Sequence, residues 1–417
     1  MSAYPFDRSP REVPKVRTAY RSIEGMIPAP GTGRILDTLD RVESRSAHGQ
    51  LPIVWSGAKD FSVWDIAGNR FLDFTSGIFV ANVGHANDAV TNAVRQEVSC
   101  NRIHSYAYAT DTRARYLKRL TEWSGFEKAF LVSAGTEATE AALKLMRLHG
   151  AKTGRRGIVC IDGAFHGRTM GAQLMGKPDA WTASDPDISH VNTGQNISLI
   201  DAAGVMIEAY EGWSAKFHDR EVVRAIATVC KTQDTLLCFD EMQSGFGRTG
   251  KKFGFEHYGV RPDLVCVGKG MGGGFPVSGV LGSAAVMDLP EVGNMSSTHS
   301  ANPLACAAGL AVLDEIDRLD LVNQADLKGA VMLGALVKAL PGYTINGMGL
   351  VAAVIFPSAE FASQVAYRCY QKGLLVVHTG RESVKIGPPL VIGMDALVEG
   401  VQVFCDAVHE IEGELCK

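Results

Sequence analysis

Short runs of consecutive apolar residues alternate with longer amphipathic stretches through the middle of this 417-residue chain. The apolar runs lie at residues 130–133, 157–162, 204–208, 236–240, 264–267 and 280–282. Strands that are covered on both faces have this continuously apolar character. Apolar residues recur at helical spacing over 138–148 and 221–232. The alternation predicts an α/β fold whose large domain has a mainly parallel sheet with helices on both faces.

The two ends of the chain show a different pattern. Residues 61–74 surround a Gly68-Asn69 turn, which predicts a β-hairpin. After Leu319 a helical pattern leads to short apolar runs near 350–356, 374–378 and 383–386, and then to a terminal helix. These pieces favour a smaller α+β domain built from both ends. We therefore expect an N-terminal segment (1–74), a large ligand-binding domain (75–319) and a C-terminal part of the small domain (320–417).

Composition and charge exclude several classes of protein. The 41 basic and 45 acidic residues give a formal net charge of −4, so we expect no nucleic acid partner, which would need a concentrated basic surface. The sequence contains no run of about 18 apolar residues, so we expect no membrane span. Residues 1–30 lack the apolar stretch of a secretory signal. The nine cysteines contain no Cys-x-x-Cys, which indicates reduced thiols in a cytoplasmic protein. The histidines show no metal-ligand spacing, so no metal site is expected.

A turn of small residues precedes the first clear helix. Residues 133–138 read Ser-Ala-Gly-Thr-Glu-Ala between a predicted strand and that helix. Free N–H groups and the positive end of the helix dipole make such a helix start a potential phosphate site. Gly135 and Thr136 are therefore candidate ligands, and Thr136 could serve as both the N-cap and a hydroxyl ligand. The alternative is an ordinary Ser/Thr helix cap.

Two charged side chains follow predicted buried strands. Asp240 ends the run 236–240, and the carboxyl ends of parallel strands are where α/β sheets bind ligands. Asp240 could hold a proton on a ring nitrogen of a ligand, or it could cap the following loop. Lys269 follows the run 264–267 within Gly-Lys-Gly. A buried amine loses its charge and can form a Schiff base with a carbonyl, whereas the alternative is a lysine that reaches solvent.

An aromatic residue and a glycine-rich stretch also require interpretation. Phe165, in the sequence Ala-Phe-His-Gly-Arg-Thr, could cover one face of a flat ring, or it could be a core side chain in a loop. Residues 245–250, Gly-Phe-Gly-Arg-Thr-Gly, fit the dinucleotide fingerprint and with Lys251 nearly fit the P-loop. Lys252 stands where Ser or Thr must contact magnesium, and Lys251 to Phe255 reads as a loop rather than a helix. We therefore expect no nucleotide site there.

Taken together, these residues resemble the class III aminotransferases, which use pyridoxal 5′-phosphate (PLP) and have PLP fold type I. The resemblance covers residues 51–390. Its most specific stretch is 239–250, Phe-Asp-Glu-Met-Gln-Ser-Gly-Phe-Gly-Arg-Thr-Gly, followed by Lys269 in Gly-Lys-Gly. Further matches lie at 76–78, 84–85, 135–138, 165–167 and 298–304.

The resemblance implies a role for each matching residue. Lys269 would bind PLP as a Schiff base and move protons, and Asp240 would keep the pyridine nitrogen protonated, so that the ring can act as an electron sink. Phe165 would stack on the ring. The other cofactor contacts would come from Gly135, Thr136, His166, Gln243 and, in a homodimer with a shared active site, Thr298 of the partner subunit. The implied reaction is a ping-pong transfer of an amino group from an amine to a keto acid or aldehyde.

Two departures from the family pattern concern the substrate. Lys385 stands where many members carry an arginine that binds a carboxylate, and a lysine offers one point charge and no fork. Arg381 could serve instead, and Lys385 could be merely a solvated strand end. Glu208 is followed by Ala209 where the family usually has proline, and it could pair with Lys385. With Trp213 nearby, these changes suggest an unusual amine or aldehyde, such as an amino-sugar aldehyde or a diamine.

A second class of reaction stays open beside amino transfer. PLP-dependent isomerases, racemases and decarboxylases use the same fold and the same lysine. They differ in which bond of the substrate carbon lies perpendicular to the ring, and the sequence does not reveal that bond. Intact Lys269 and Asp240 argue against a PLP-binding protein without catalysis.

Overall fold

The computed structural model describes residues 6–47, 49–192, 199 and 201–415. These residues group into two compact units. The terminal unit comprises the described residues of 1–87, 213–215 and 324–417, and the central unit comprises those of 88–212 and 216–323. The three-part division expected above stays a prediction.

The described chain forms the following strands and helices. The strands are β1 (Arg11–Glu12), β2 (Val16–Arg17), β3 (Ser22–Ile23), β4 (Met26–Ile27), β5 (Trp55–Lys59), β6 (Ser62–Asp65), β7 (Arg70–Asp73), β8 (Lys128–Val132), β9 (Gly157–Ile161), β10 (Ile188–Val191), β11 (Ala202–Glu208), β12 (Leu236–Asp240), β13 (Leu264–Val267), β14 (Ser278–Gly282), β15 (Thr344–Met348), β16 (Val351–Ile355), β17 (Leu374–Leu375), β18 (Val377–His378) and β19 (Ser383–Ile386). The helices are α1 (Thr32–Val42), α2 (Ser76–Phe79), α3 (Asp88–Ser99), α4 (Asp111–Ser124), α5 (Gly135–Ala151), α6 (Met170–Met175), α7 (Arg220–Thr232), α8 (Ala284–Met287), α9 (Pro303–Arg318), α10 (Leu321–Ala339), α11 (Ala359–Gln371) and α12 (Met394–Leu415). Within the described ranges, no helix has both the length and the apolar character that crossing a bilayer requires.

The central unit is built on a seven-stranded sheet with the spatial order β10-β9-β11-β12-β13-β14-β8. Neighbouring strands are parallel except where β14 pairs with β13 and with β8. Every residue of β11, β12, β13 and β14 is buried, which explains why their sequences are continuously apolar. The predicted α/β fold with a mainly parallel sheet is confirmed.

The sequence at the helix starts explains where the central helices begin. The Glu137 carboxylate accepts hydrogen bonds from the amides of Ser133 (2.8 Å) and Ala134 (2.9 Å), which closes the start of α5. The Asp219 carboxylate accepts from two amides of the first turn of α7. α5 contacts β11, β13 and β14. Its small buried side chains allow this close packing on the sheet.

The terminal unit contains three smaller sheets. β1 pairs with β4, and β15-β16-β19-β18 form an antiparallel sheet. The third sheet has the order β2-β3-β7-β6-β5, and β17 pairs with β7 at its side. β6 and β7 form the predicted hairpin, with Trp64 opposite Arg70. The short strands expected after residue 319 are also present.

Residues from separate parts of the sequence meet in the terminal unit. The Ser383 hydroxyl donates to the carbonyl of Trp213 (2.7 Å), and the Asn346 side-chain amide donates to the carbonyl of Ser214 (3.1 Å). α2 is a single turn in which all four residues have φ between +50° and +67°. The turn is therefore left-handed, and the hydroxyl of its first residue, Ser76, donates to the carbonyl of Gly387 at 2.6 Å.

Substituting Gly329 by alanine should destabilise the terminal unit. Gly329 lies in α10, and an added Cβ would come within 2.1 Å of the carbonyl oxygen of Gly349, which is backbone and cannot move alone. We expect Gly329→Ala to lower the free energy of unfolding by about 1–3 kcal/mol. Urea titration followed by circular dichroism measures this loss.

Gly334→Ala is the matched control on the same helix, because no atom lies within 4 Å of the added Cβ. Alanine there should raise the free energy of unfolding by about 0.5–1 kcal/mol, through its better helix propensity. Equal effects of the two substitutions would contradict the packing of α10 against the turn between β15 and β16.

Candidate active site

Four neighbouring strands of the central sheet end at side chains that can carry chemistry. In sheet order, His166 follows β9, Glu208 ends β11, Asp240 ends β12 and Lys269 follows β13. The four strands are parallel, so these ends lie at one edge of the sheet, where α/β proteins bind ligands. Glu208 and Asp240 are direct register partners. We call these four residues the strand-end row.

The Asp240 carboxylate is held from two sides. Its Oδ2 lies 2.8 Å from Nδ1 of His166, and its Oδ1 accepts a hydrogen bond from the Met242 amide at 3.0 Å. The side chains of His166 and Asp240 are only 0% and 2% exposed. Asp240 thus caps the following loop and is at the same time a buried carboxylate, which a protonated ring nitrogen requires as a partner.

His166 is fixed by its backbone as well as by its ring. The Thr139 hydroxyl, on α5, donates to the carbonyl of His166 at 2.8 Å. Burial alone lowers the pKa of His166, but the hydrogen bond and charge of Asp240, with the charge of Glu208, outweigh burial and raise that pKa. The Nε2 atom of His166 is buried and has no hydrogen-bond partner among the described residues. The contact with Asp240 therefore favours the protonated form of His166.

The amine of Lys269 lies in partly desolvated surroundings. The residue before Lys269 is Gly268, and an added Cβ there would come within 2.5 Å of the Ser278 hydroxyl oxygen. Lys269 itself has a φ of +43°, which is uncommon for a residue with a Cβ. Burial lowers the pKa of the amine, against the opposing charges of Asp240 and Glu208. This shift favours a nucleophilic lysine over one that reaches solvent.

The start of α5 presents two amides. Gly135 and Thr136 occupy the first two helical positions, whose N–H groups have no acceptor within a helix. The N-cap is Ala134, so the expectation that Thr136 caps the helix is wrong, because the helix begins before it. The Thr136 hydroxyl lies 2.6 Å from the Thr169 hydroxyl, which itself donates to Glu140. Thr136 therefore donates to Thr169, and the backbone amides are the better candidates for binding a phosphate.

Phe165 is not a core side chain. It is 45% exposed, and its amide donates to Oε2 of Glu208 at 3.0 Å. The guanidinium of Arg168 lies 5.0 Å from the centre of its ring. A half-exposed aromatic face beside the strand-end row suits stacking on a planar ligand.

Gln243 and Thr298 both belong to the central unit, as the strand-end row does. An added Cβ on Gly212 would lie 3.0 Å from Nε2 of Gln243 and 3.0 Å from Oε1 of Glu208, so these two side chains flank one glycine. Gln243 therefore lies beside the strand-end row. Thr298 lies in an exposed turn before α9.

The side chains at this edge of the sheet fit PLP. A protonated pyridine nitrogen needs a carboxylate, an aldehyde needs an amine, a planar ring needs an aromatic face, and a phosphate needs N–H donors. Asp240, Lys269, Phe165 and the amides at the start of α5 provide one of each.

The substrate candidates Lys385, Arg381 and Trp213 belong to the terminal unit. Lys385 is 2% exposed, and its Nζ lies 4.4 Å from the centre of the Phe79 ring. Lys385 is therefore not a solvated strand end. The Arg381 guanidinium lies 3.8 Å from the centre of the Trp213 ring, in a cation–π contact. The pairing of Glu208 with Lys385 stays a prediction, since the two residues lie in different units.

The glycine-rich stretch after β12 surrounds a second buried carboxylate. Glu241 accepts hydrogen bonds from the hydroxyl of Ser244 (2.6 Å) and from the amides of Gly254 and Phe255 (2.7 Å each). Burial raises the pKa of Glu241 to about 7. These bonds close the loop 241–255 around the carboxylate, which gives the stretch a structural role.

Sequence reasoning missed two residues of this site. Arg168 lies in the same short stretch as Phe165, residues 164–169. A cation close in sequence to an aromatic residue was therefore the available signal. Thr139 lies 27 residues from the carbonyl that it binds. No sequence spacing indicates that contact.

Comparison with known proteins gives consistent relatives. The family model "Aminotransferase class-III" matches residues 44–408. An acetylornithine aminotransferase of Methanocaldococcus jannaschii is 32% identical over 390 residues, which cover 89% of this chain and 96% of that protein. A 5-aminovalerate aminotransferase of Pseudomonas aeruginosa is 30% identical over 410 residues, which cover 87% and 95%.

Solved structures of aminotransferases share the fold. The ornithine aminotransferase of Toxoplasma gondii, solved with partial occupancy of PLP at its active site, superposes with a TM-score of 0.87 at 25% identity, covering 92% of this chain and 96% of that one. The acetylornithine aminotransferase of Elizabethkingia anophelis gives a TM-score of 0.82 at 26% identity, covering 92% and 100%.

Replacing Asp240 by asparagine should lower the pKa of His166. The carboxylate raises that pKa, so without its charge burial dominates. In the wild type the ion pair stabilises the fold fully below about pH 6.5, the ordinary pKa of an imidazole. That stabilisation is lost as the pH rises through the raised pKa, and Asp240→Asn should weaken this pH dependence. NMR titration of histidine-labelled protein and thermal unfolding across this pH range measure the two effects.

His218 is the internal control for this titration. Burial lowers its pKa, and Asp240 has no part in the shift. Its titration should therefore be the same in the wild type and in Asp240→Asn. A His166 titration that is unchanged in the variant would contradict the buried ion pair.

Proposed function

Because this chain belongs to the class III aminotransferases, we propose that the strand-end row, His166, Glu208, Asp240 and Lys269, is the centre of its active site. The chain is a PLP-dependent enzyme that transfers an amino group between small-molecule amine and carbonyl substrates. The isomerase and decarboxylase alternatives find no support among these relatives. One observation carries the site assignment: a desolvated lysine amine and a buried aspartate lie at the ends of adjacent strands.

The residues of the central unit divide the work of the reaction. When bound, PLP supplies an electron sink for the substrate carbon that bears the amine. Lys269 would hold PLP covalently through Nζ, and the same Nζ, once freed, would take the proton from that carbon. Asp240 would keep a proton on the ring nitrogen, and His166 would hold the Asp240 carboxylate in place through Nδ1. The amides of Gly135 and Thr136 would bind the phosphate.

Two further side chains would orient the ring. Phe165 would stack on one face, which its exposure allows. Gln243 would lie near the phenolic oxygen, and its place beside Glu208 supports that assignment. In the second half of the ping-pong cycle the same residues act in the reverse order on a keto acid or an aldehyde.

Lys269→Ala should abolish the covalent attachment of PLP. Borohydride makes the attachment permanent, and intact-protein mass spectrometry then detects it. We expect the adduct in the wild type and none in the variant, whose turnover should fall by at least about 1,000-fold because the nucleophile and the proton carrier are lost together.

Lys328→Met is the matched control for this experiment. Lys328 is another lysine whose pKa is lowered by burial, and it donates to the carbonyl of Leu390 at 3.0 Å. The adduct should persist in this variant. An adduct retained in Lys269→Ala would refute the assignment of Lys269.

We further propose that the amine substrate also carries an acidic group. The two relatives described above are named for acetylornithine and 5-aminovalerate, which both bear a carboxylate. Arg168, exposed beside the Phe165 ring, carries a planar guanidinium of the kind that binds carboxylates, and its Nη1 already donates to Oε1 of Gln173 at 3.1 Å. Lys385 offers a single point charge, and its amine lies over the Phe79 ring. Arg381 is a further candidate, and its guanidinium lies 3.8 Å from the centre of the Trp213 ring.

Lys385→Ala should raise the KM for an acidic substrate by about 10-fold with little change in kcat, because a charge-assisted hydrogen bond is lost. 5-Aminovalerate and 1,5-diaminopentane are a matched pair that differs only at the far end. The loss of a ~420 nm band and the gain of a ~330 nm band on adding the amine measure the reaction of each.

The diamine should keep its KM in Lys385→Ala. An unchanged KM for every acidic substrate would show that Lys385 does not bind the acidic group. A wild-type preference for the diamine, or for an amino-sugar aldehyde as acceptor, would instead favour the unusual substrate that the two sequence departures suggest.

We propose that the enzyme is a homodimer in which Thr298 of the partner subunit completes the phosphate site. Support comes from large apolar side chains that the central unit exposes. Among them are Tyr108, which is 80% exposed, and Val292, which is fully exposed and lies close in sequence to Thr298. A second copy of the chain would cover such a surface. A cytoplasmic location is proposed with it, because the eight described cysteines are free thiols.

A further inference from the structure

We propose that Glu208 is a positioning residue that orients the Phe165 ring through the Phe165 backbone amide, an inference that rests on the active site proposed above. Oε2 of Glu208 accepts the hydrogen bond of that amide at 3.0 Å. The contact lies within the central unit. It gives Glu208 a role that does not involve Lys385.

The Phe165 ring is oriented by its backbone rather than by packing. The ring is 45% exposed, so few neighbours restrain it. Its neighbours in sequence are anchored: the Ala164 amide donates to the carbonyl of Ile161 at 3.2 Å, and His166 is held by Asp240 at its ring and by a hydroxyl at its carbonyl. The bond to Glu208 fixes the peptide plane between these anchors. It therefore sets the direction in which the Phe165 side chain leaves the backbone.

Glu208 stands on a rigid support. It ends β11, in which every residue is buried. The carbonyl of the next residue, Ala209, accepts a hydrogen bond from the buried Tyr258 hydroxyl. Gly212 leaves room for the carboxylate, because a Cβ there would come within 3.0 Å of Oε1 of Glu208. The acceptor is thus held at a defined place.

The position of Glu208 is electrostatically costly, which argues for a function. The carboxylate is 6% exposed and is the register partner of Asp240. Burial raises the pKa of Glu208 to about 7 and the charge of Asp240 adds to this, although His166, the Phe165 amide and Lys269 oppose it. An apolar side chain would avoid this cost. It could not accept the hydrogen bond of the Phe165 amide, for which an acceptor oxygen is needed.

Hydrogen exchange of the PLP-free protein tests the contact directly. Glu208→Ala removes the acceptor, whereas Glu208→Gln keeps an acceptor oxygen without the charge. The Phe165 amide should exchange at least about 10-fold faster in Glu208→Ala, and it should stay within about 3-fold of the wild type in Glu208→Gln. Glu221→Gln, exposed in the first turn of α7, is the control for losing one carboxylate and should leave the rate unchanged. Equal acceleration in the Ala and Gln variants of Glu208 would overturn the proposal.

A double-mutant cycle on PLP affinity tests whether Glu208 acts through the ring. Phe165→Ala should raise the dissociation constant of PLP by about 10-fold, through loss of stacking. Glu208→Ala should have a similar effect, and the double variant should bind within about 3-fold of Phe165→Ala, because the second change has nothing left to orient. Losses that multiply to about 100-fold would overturn the proposal. The visible circular dichroism of bound PLP should also change most in the variants that bind PLP most weakly.

Borohydride attachment separates this inference from the active-site proposal. At saturating PLP, Glu208→Ala should still attach the cofactor at Lys269, because the amine is intact. Attachment together with multiplying losses overturns only the role of Glu208. A wild-type protein that attaches no PLP overturns the active site itself.

Discussion

The parallel pairing of β11, β12 and β13 is the constraint on which the candidate site depends. Their register places Glu208 beside Asp240, and Asp240 beside Cys266, three residues before Lys269. A slip of β12 by one residue would turn Asp240 to the opposite face of the sheet. The buried apolar side chains that hold these strands together therefore also fix the distances between the charges. Core packing and site chemistry share one cause.

The two cations of the strand-end row respond differently to the same two carboxylates. His166 contacts Asp240 directly at 2.8 Å, and this close interaction outweighs burial, so its pKa is raised. Lys269 feels the carboxylates only through longer-range charge, and burial outweighs them, so its pKa is lowered. The distance to the carboxylates thus decides the direction in which each pKa shifts, and the downward shift favours the amine of Lys269 as a nucleophile.

Sequence patterns predicted the strands better than the contacts between side chains. β12 and β13 have the bounds that their apolar runs predicted, because buried strands allow few other residue types. β10 was missed, since Ser189 and His190 interrupt its apolar character and it lies at the edge of the sheet. For Asp240 and Lys269 the local sequence also allows a loop cap and a solvent-exposed amine, and only the family motif links the two residues to one site. The contact of His166 with Asp240 spans 74 residues and could not be predicted from spacing.

The substrate candidates of the terminal unit show the same limit. Family resemblance indicated that Lys385 occupies a carboxylate-binding position, but the ring beneath it depends on backbone geometry. Phe79 ends the left-handed turn α2, and a Cβ on Gly387 would lie 2.0 Å from its ring. Neither the turn nor this close approach has a clear sequence signature. The aromatic partner of the lysine was therefore accessible only from the structure.

Glu208 and Glu241 show that a shared pKa does not imply a shared role. Burial raises the pKa of each to about 7. Glu241 accepts three hydrogen bonds, all from the loop that it closes, so its carboxylate maintains the shape of that loop. In the described part of the chain, the side chain of Glu208 accepts one hydrogen bond, from the residue that carries the half-exposed aromatic ring. The origin of the donors, rather than the titration, separates the structural carboxylate from the one for which we propose a positioning role.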